Sequence, residues 1–326
     1  MKNKPIILIG GEPYSIFFEI FFKSMKTKSI KKIVNPIILI ASKSLLIKQM
    51  KILKFKFKIN TLDLHSLDFY KINNKKINII DVNLNHKKAF DKITSKSNSY
   101  ILKCCDIGFQ LLKITSSKVL INGPISKKNF LKNKYPGMTE FFASKVGRKG
   151  KEVMLIFNRK LSVSPVTTHF PLKKIFNKIS TKKIISNVLI INSFYKKYFN
   201  ISPRFGLTGL NPHCESYEKN SEEKKIIIPA IKILRKRKIN ITGPFPADTI
   251  FLEKNAKFFD VIVGMYHDQV LTPIKTINGF DAINITLGLP FLRITPDHGP
   301  NTSMLGKNLS DPESLIKTLE FAKKNN

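Results

Sequence analysis

The chain has 326 residues, of which 42% are hydrophobic, so it is long enough for two layered domains with buried cores. Its apolar runs are too short to cross a bilayer, and its three cysteines form no disulfide framework, so we expect no membrane span and a cytoplasmic location. The formal net charge is +35, but Lys occurs in nearly every segment and no nucleic-acid-binding motif is present, which argues against a specific nucleic-acid site.

Short apolar runs alternate with longer amphipathic stretches, which predicts an α/β fold with a largely parallel sheet. The predicted strands are residues 6–9, 37–40, 77–82, 119–121, 153–157, 204–208, 261–265 and 282–286, and the clearest predicted helices are residues 181–199 and 222–237. Residues 43–100 carry no recognisable motif. From residue 119 onward, Gly-Pro and Asn-Pro loops follow most strands, which is where ligands bind in open parallel sheets.

Three histidines, His169, His213 and His267, each lie in a short polar motif just after an apolar run. Neutral imidazole is a good ligand for zinc and related ions, and a catalytic metal often has three protein ligands. The three are far apart in sequence, so ordinary loop or core histidines remain an equal alternative on pattern alone. A fourth histidine, His298, also lies in a loop, and a role in forming a turn is the alternative explanation for it.

Two aspartates lie in similar loops. Asp248 follows a Gly-Pro turn and Asp268 directly follows His267, so either is a candidate to orient a metal ligand, bind the metal or accept a proton. A helix N-cap is the alternative for Asp248.

Lys275, Asn284 and Arg293 lie in a stretch that is poor in other charges. The chain has only six arginines, and Arg293 is flanked by apolar residues, which suits binding of a carboxylate or phosphate, with a structural ion pair as the alternative. No GxGxxG motif follows the first predicted strand, so the sequence does not predict a Rossmann dinucleotide site.

Taken together, eight motifs follow one another in the order and near the spacing of a single enzyme family. They are residues 11–13, 122–127, 137–141, 167–172, 209–213, 243–249, 266–269 and 284–299. On these motifs the chain resembles the 4-hydroxythreonine-4-phosphate dehydrogenase family of pyridoxal phosphate biosynthesis.

The resemblance implies two α/β/α layered domains with an active-site cleft between them, as in isocitrate and isopropylmalate dehydrogenases. Residues 1–124 and 288–326 would form the nucleotide-side domain, and residues 125–287 the metal, substrate and dimerisation domain. It also implies a homodimer whose metal site is shared between subunits, and NAD or NADP bound without a GxGxxG motif.

The resemblance further implies roles for particular residues. The family's metal ligands correspond to His169, His213 and His267. Its substrate-binding positions correspond to Met138, Thr139, Lys275, Asn284 and Arg293, and the nucleotide loop to Asp297, His298 and Gly299. The candidates for the catalytic proton acceptor are Asp248, Asp268 and Lys275.

The implied reaction is the oxidation of 4-phosphooxy-L-threonine to 2-amino-3-oxo-4-phosphooxybutanoate, which decarboxylates to 3-amino-2-oxopropyl phosphate. It uses NAD or NADP and one divalent ion, zinc, magnesium or cobalt. Met138 stands where the family usually has histidine, which motivates an alternative: a sister dehydrogenase acting on phospho-erythronate or phospho-threonate. A degenerate polyanion-binding protein is a third, less favoured reading. The sequence leaves open the metal, the choice of NAD or NADP, and the general base.

Overall fold

The computed structural model of the chain describes residues 3–131, 134–214, 220–279, 282–296 and 298–326. The chain divides into two units. Unit 1 comprises Met1–Met138 and Pro290–Asn326, and unit 2 comprises Thr139–Leu289. The chain therefore passes between units after residues 138 and 289, where the sequence predicted passages after residues 124 and 287.

Strands and helices alternate along the described residues. The strands are β1 (Ile6–Ile9), β2 (Ile37–Ala41), β3 (Ile59–Thr61), β4 (Ile77–Asp81), β5 (Val119–Asn122), β6 (Val153–Phe157), β7 (Ser162–Pro165), β8 (Phe205–Thr208), β9 (Ile241–Phe245), β10 (Val261–Gly264), β11 (Ile283–Leu287) and β12 (Leu292–Pro296). The helices are α1 (Phe17–Lys26), α2 (Lys28–Lys31), α3 (Lys43–Ile52), α4 (Asn98–Thr115), α5 (Lys127–Phe130), α6 (Met138–Lys145), α7 (Thr181–Phe199), α8 (Ile228–Lys236), α9 (Glu253–Ala256), α10 (His267–Asn278) and α11 (Glu313–Asn325). The predicted α/β class is confirmed.

The strands of unit 1 run in the order β3-β4-β2-β1-β5-β12, and the pairings within this series are parallel. The central strands β1, β2 and β5 are buried along their whole length. Burial on both faces explains why these strands are continuous apolar runs, and such runs are what the sequence pattern detected. Helices α4 and α11 both pack against β1.

The strands of unit 2 run in the order β11-β6-β7-β10-β8-β9. Strand β6 pairs antiparallel with both β11 and β7, whereas β7, β10, β8 and β9 pair parallel in succession. The predicted parallel sheet therefore describes unit 1 fully and unit 2 only in part. Helix α10 packs against β7 and β10, and α7 against α8 and β6.

Four strands, β3, β7, β9 and β12, were absent from the predicted elements. Strand β7 has the sequence Ser-Val-Ser-Pro and β9 contains Gly243-Pro244, so neither forms an apolar run. Both segments are nevertheless strands because each pairs with neighbouring strands, and this pairing outweighs the local composition.

Among the described residues, no helix is both long enough and apolar enough to cross a membrane.

Two glycines allow the loops after β1 and β5 to touch. A Cβ on Gly123 would lie 2.5 Å from the carbonyl oxygen of Gly10, and one on Gly11 would lie 2.6 Å from that of Pro124. Gly11 also has a φ of +71°, a conformation that glycine adopts without strain. The close contact is completed by a hydrogen bond from the Glu12 amide to the Pro124 carbonyl.

We therefore expect Gly123→Ala to lower the free energy of unfolding by about 3 kcal/mol, because the added methyl group would overlap the carbonyl oxygen of Gly10 and the buried ring of Phe17. Gly299→Ala is the matched control, since a Cβ at Gly299 would have no atom within 4 Å. Urea denaturation of the two variants measures the difference. Equal stability of both would contradict the tight contact.

Glu12 lies in the same loop, with only 2% of its surface exposed. Burial raises the pKa of its carboxyl group from 4.5 to about 7, and hydrogen bonds involving Ser97 and Ser126 only partly oppose this rise. Since the folded chain binds this proton more tightly than the unfolded chain, the contribution of Glu12 to stability is greatest at low pH. It declines as the pH rises from about 4.5 to about 7.

Glu12→Gln should remove this decline, because glutamine does not ionise. Relative to the parent chain, the variant should gain on the order of 2 kcal/mol of unfolding free energy between about pH 5 and about pH 8. Denaturation curves at several pH values measure the slope, and exposed Glu253→Gln serves as the control. A parallel pH dependence of parent and Glu12→Gln would show that the prediction is wrong.

Candidate active site

The loops that carry the three candidate histidines follow three neighbouring parallel strands. His169 comes after β7, His267 after β10 and His213 after β8. Strand β10 pairs in parallel with both β7 and β8. Because parallel strands end at the same edge of a sheet, the three loops emerge at one edge of unit 2, where ligands bind in α/β proteins.

His169 faces a glutamate that the sequence pattern did not assign a role. Its Nδ1 lies 3.4 Å from Oε2 of Glu140, and both side chains are largely buried. The other Glu140 oxygen accepts a short hydrogen bond from the hydroxyl of Thr168. Burial by itself raises the pKa of Glu140, but His169 and Thr168 more than offset this and bring it down to about 2. Glu140 is therefore a carboxylate at neutral pH.

His267 is the first residue of α10 and has a similar partner. Its Nδ1 lies 2.6 Å from Oδ1 of Asp268, which is close enough for a strong hydrogen bond. In both His169 and His267, Nδ1 thus faces a carboxylate and Nε2 is left to bind another group. A carboxylate on one imidazole nitrogen is the usual arrangement around histidines that bind metals through the other nitrogen.

The rings of His169 and His267 lie close together, with centroids 5.7 Å apart and planes inclined by 42°. A metal–nitrogen bond is about 2 Å long and the imidazole centre lies roughly 1 Å behind its nitrogen, so two imidazoles on one ion have centres at most about 6 Å apart. The separation of the two rings therefore fits a shared divalent ion.

His213 lies in the loop after β8, in an exposed position with a φ of 56°. Its loop is held by Glu223, whose Oε1 accepts hydrogen bonds from the amides of Leu210 and Asn211, each at 2.8 Å. The second oxygen of Glu223 accepts from the side-chain amide of Asn211, also at 2.8 Å. Glu223 is buried, so these bonds compensate a carboxylate that has left water.

Gln269 ties the loops after β8 and β10 together. Its Oε1 accepts from the Met265 amide at 2.6 Å and from the Thr208 hydroxyl at 2.9 Å. Its amide nitrogen donates to the carbonyl of Gly209 at 2.8 Å. Because Gln269 is buried and has a partner at both polar atoms, it keeps the loops that carry His213 and His267 in one relative position.

The structure brings together two of the three expected metal ligands. Among the described residues, no group of three or more histidine, cysteine, aspartate or glutamate side chains is arranged to hold a metal ion. His213 is thus at the same edge of the sheet but outside the His169–His267 pair within one chain. The expected three-histidine site shared between subunits stays a prediction.

Among the expected substrate contacts, Thr139 and Asn284 lie in one region of unit 2. The hydroxyls of Thr139 and Thr286 are 3.5 Å apart, and both threonines are buried. Thr286 and Asn284 are two residues apart on β11 and so share a face of the sheet. Within the described residues, the buried Oδ1 of Asn284 has no hydrogen-bond partner. A buried acceptor of this kind is suited to a ligand that donates a proton.

Arg293 and Met138 are both buried. Arg293 lies on β12 of unit 1, and its Nε donates to Oδ1 of Asn122 at 2.8 Å, which holds the guanidinium in place. Met138 begins α6. Lys275 is exposed on α10, seven residues after Asp268 and therefore on the same helical face.

The remaining candidates lie in loops. Asp248 is exposed in a turn after β9 and does not begin a helix, so the alternative reading of it as an N-cap is wrong. His298 is half-buried, with Nδ1 3.0 Å from the carbonyl oxygen of Gly299, and Gly299 is exposed. Asp297 lies outside the described residues.

Sequence reasoning overlooked the residues that hold the histidine loops, namely Glu140, Thr168, Glu223 and Gln269. Three of them lie inside recognised motifs, at 137–141, 167–172 and 266–269, so their positions carried a signal although no role followed from it. Glu223 lies in the charged run Glu222-Glu223-Lys224-Lys225, which reads as a solvated helix face.

The chain matches the family model described as pyridoxal phosphate biosynthetic protein PdxA over residues 32–322. It belongs to this family. The 4-hydroxythreonine-4-phosphate dehydrogenase of Sulfurihydrogenibium sp. is 37% identical, over 76% of this chain and 84% of the relative. The enzyme of the same name from Bradyrhizobium diazoefficiens is 42% identical, over 62% of this chain and 61% of the relative. The resemblance based on the eight motifs is confirmed, and the chain is an oxidoreductase.

Solved structures agree with this assignment. The 4-hydroxythreonine-4-phosphate dehydrogenase of Klebsiella pneumoniae is similar with a TM-score of 0.82 and 25% identity, over 98% of each chain. Isocitrate dehydrogenase from Methylococcus capsulatus is similar with a TM-score of 0.50 and 8% identity, over 96% of this chain and 83% of that chain. The second likeness concerns the fold alone, and it confirms the predicted isocitrate dehydrogenase-like fold class.

The hydrogen bonds of Glu223 lead to a test of the His213 loop. Glu223→Gln should lower the free energy of unfolding by about 2 kcal/mol, because a neutral amide replaces a buried carboxylate that accepts from two backbone amides. Glu222→Gln is the control, since among the described residues Glu222 accepts one bond, from the Asn211 side chain at 3.0 Å. Thermal or urea denaturation measures both, and a Glu222→Gln effect as large as that of Glu223→Gln would contradict the assignment.

Proposed function

We propose that the chain oxidises 4-phosphooxy-L-threonine to 2-amino-3-oxo-4-phosphooxybutanoate in pyridoxal phosphate biosynthesis. The product loses carbon dioxide to form 3-amino-2-oxopropyl phosphate. The enzyme would act in the cytoplasm as a homodimer, with NAD or NADP and one divalent ion in each site. Family membership supports the reaction, and the observation that carries the chemistry is the His169–His267 pair, whose Nδ1 atoms both face carboxylates.

His169 and His267 would hold the metal through Nε2, and His213 would complete the ligand set across the dimer. Neutral imidazole and open coordination positions suit zinc, cobalt or magnesium, in that order of preference for nitrogen ligands. When bound, the ion would act as a Lewis acid on the substrate hydroxyl and lower the cost of removing its proton. Glu140 and Asp268 lie on the Nδ1 side of the two imidazoles, so Nε2 is the nitrogen that would bind the ion.

The anionic groups of the substrate would be bound by Arg293, Lys275, Asn284 and Thr139. Arg293 is held by Asn122, so little conformational freedom is lost when its guanidinium binds a carboxylate or phosphate. Met138 would contribute an apolar contact, since its thioether is at most a weak acceptor.

The hydroxyl proton needs an acceptor, for which the candidates are Asp248, Asp268 and Lys275. Asp268 bonds to Nδ1 of His267, so we assign it the orientation of that ligand. Asp248 and Lys275 are then the candidates for the base. NAD or NADP, held by the loop that contains His298 and Gly299, would accept the hydride.

The buried thioether of Met138 also supports a second candidate substrate class. A phosphorylated hydroxy acid such as phospho-erythronate or phospho-threonate lacks the amino group of 4-phosphooxy-L-threonine. It would therefore require different contacts from residue 138, where the family usually has histidine. The reaction and the metal chemistry would otherwise be the same.

The proposal is tested by steady-state assay of the purified chain with 4-phosphooxy-L-threonine and NAD or NADP, following nicotinamide reduction. Turnover should stop with a chelator and return when zinc, cobalt, magnesium or manganese is added. His169→Asn should reduce kcat/KM by more than about 100-fold. The matched control is His65→Asn, since His65 is an exposed histidine of unit 1, and it should leave kcat/KM unchanged.

Parallel assays with phospho-erythronate and phospho-threonate distinguish the two substrate classes by their kcat/KM values. Turnover that persists in the chelator, or none with any of these substrates and metals, would refute the proposed reaction.

A further inference from the structure

Glu140 makes two contacts from the first turn of α6, one through each carboxylate oxygen. Oε1 accepts from the hydroxyl of Thr168, and Oε2 lies 3.4 Å from Nδ1 of His169. Thr168 and His169 are consecutive residues, so one carboxylate contacts both the histidine and the residue before it. The side chains of Glu140 and His169 are only 12% and 17% exposed.

Oε2 of Glu140 and Nδ1 of His169 are both buried, and each is the potential hydrogen-bond partner of the other. Among the described residues, neither Oε2 of Glu140 nor Nδ1 of His169 has a hydrogen-bond partner, and both atoms are shielded from solvent. A buried polar atom without a partner costs roughly 1–3 kcal/mol. A small closure of the 3.4 Å gap would satisfy both atoms at once, with Nδ1–H as the donor.

A proton on Nδ1 of His169 would determine what the opposite side of the ring can bind. A neutral imidazole carries one N–H, so a proton held on Nδ1 leaves the lone pair of Nε2 available. A carboxylate that accepts from Nδ1 also makes Nε2 a stronger electron donor and fixes the direction in which it points.

We propose that Glu140 is a positioning residue of the metal site, which selects the Nε2-ligating tautomer of His169 and fixes its ring, with Thr168 as the anchor of the carboxylate. This inference rests on the proposed function only in taking His169 as a metal ligand. It assigns a role to a side chain that would itself touch neither the metal nor the substrate.

The corresponding pair at His267 is more exposed. The Asp268 side chain is 79% exposed, so water competes with its hydrogen bond to His267. Glu140, at 12% exposure, has no such competition. Removal of the Glu140 charge should therefore weaken metal binding more than removal of the Asp268 charge.

The experiment is a titration of the full-length metal-free chain with Co²⁺ in competition with a chromophoric chelator, together with the visible absorption spectrum of the bound cobalt. Glu140→Gln keeps the size of the side chain and removes its charge. It should raise the Co²⁺ dissociation constant about 10- to 100-fold and alter the cobalt spectrum, because His169 is held less firmly. Asp268→Asn should raise the constant by less.

Glu152→Gln is the matched control. Glu152 is a partly buried glutamate of the same unit that interacts electrostatically with Glu140, and no contact joins it to His169 among those seen in the described residues. Its loss should change the Co²⁺ dissociation constant less than twofold and leave the spectrum as in the parent chain. This comparison separates the positioning effect from a general loss of negative charge near the site.

An unchanged Co²⁺ dissociation constant and spectrum in a folded Glu140→Gln chain would overturn the inference, provided that the parent binds cobalt. If Glu140→Gln does not fold, Thr168→Val decides: a rise of about threefold or more in the dissociation constant supports the role, and parent-like binding overturns it. If the parent chain binds no Co²⁺, both the metal in the proposed function and this inference are refuted. If the parent chain binds Co²⁺ and Glu140→Gln binds it equally well, only this inference is refuted, so the two failures are distinguishable.

Discussion

The parallel pairing of β10 with β7 on one side and β8 on the other is the constraint on which the candidate site depends. It places the ends of three strands side by side, and the three histidine loops begin at those ends. The sequence separates His169, His213 and His267 widely, and the pairing of short buried strands is what gathers their loops at one edge. Loss of register at β10 would displace His267 relative to both other loops.

A loop at a strand end is exposed to competing conformations unless its polar groups are satisfied. In unit 2 this is done by a few buried side chains that each serve more than one partner. Glu140 serves Thr168 and His169, Glu223 serves the segment before His213, and Gln269 joins the loops after β8 and β10. Partial failure in such a network is costly because the remaining groups stay buried without partners.

Because the chain is strongly positively charged, the acidic side chains at these sites are more informative than they would be in a chain of balanced charge. Asp and Glu number 22 against 57 Lys and Arg, so a carboxylate is the scarcer charge. Glu140, Glu223 and Asp268 lie next to histidine loops, and Glu12 lies buried where the loops after β1 and β5 meet in unit 1. The lysines, by contrast, lie mainly on the surface, where they are solvated and screened by salt.

Much of the fold followed from the sequence because unit 1 and the core of unit 2 use continuous apolar strands. Strands β1 and β6 and helix α7 have the bounds that periodicity predicted. The strand that precedes His169, β7, escaped notice because Ser162, Ser164 and Pro165 interrupt its apolar pattern. Its strand character comes from β6 and β10 on either side, and no local pattern contains that information.

By itself, the sequence determined the family and the residue types of the site, because motifs of a few residues keep their chemistry whatever surrounds them. Only the tertiary structure decided which of those residues meet. It paired His169 with His267, gave each a carboxylate, and placed Asp248 in an exposed turn instead of at a helix start. The tertiary structure also identified Glu223, which lies in a run of charged residues, as the residue that holds the His213 loop. The physical reason is that hydrogen bonds and ring contacts depend on distances of a few ångströms, which are set by strand pairing and not by separation along the chain.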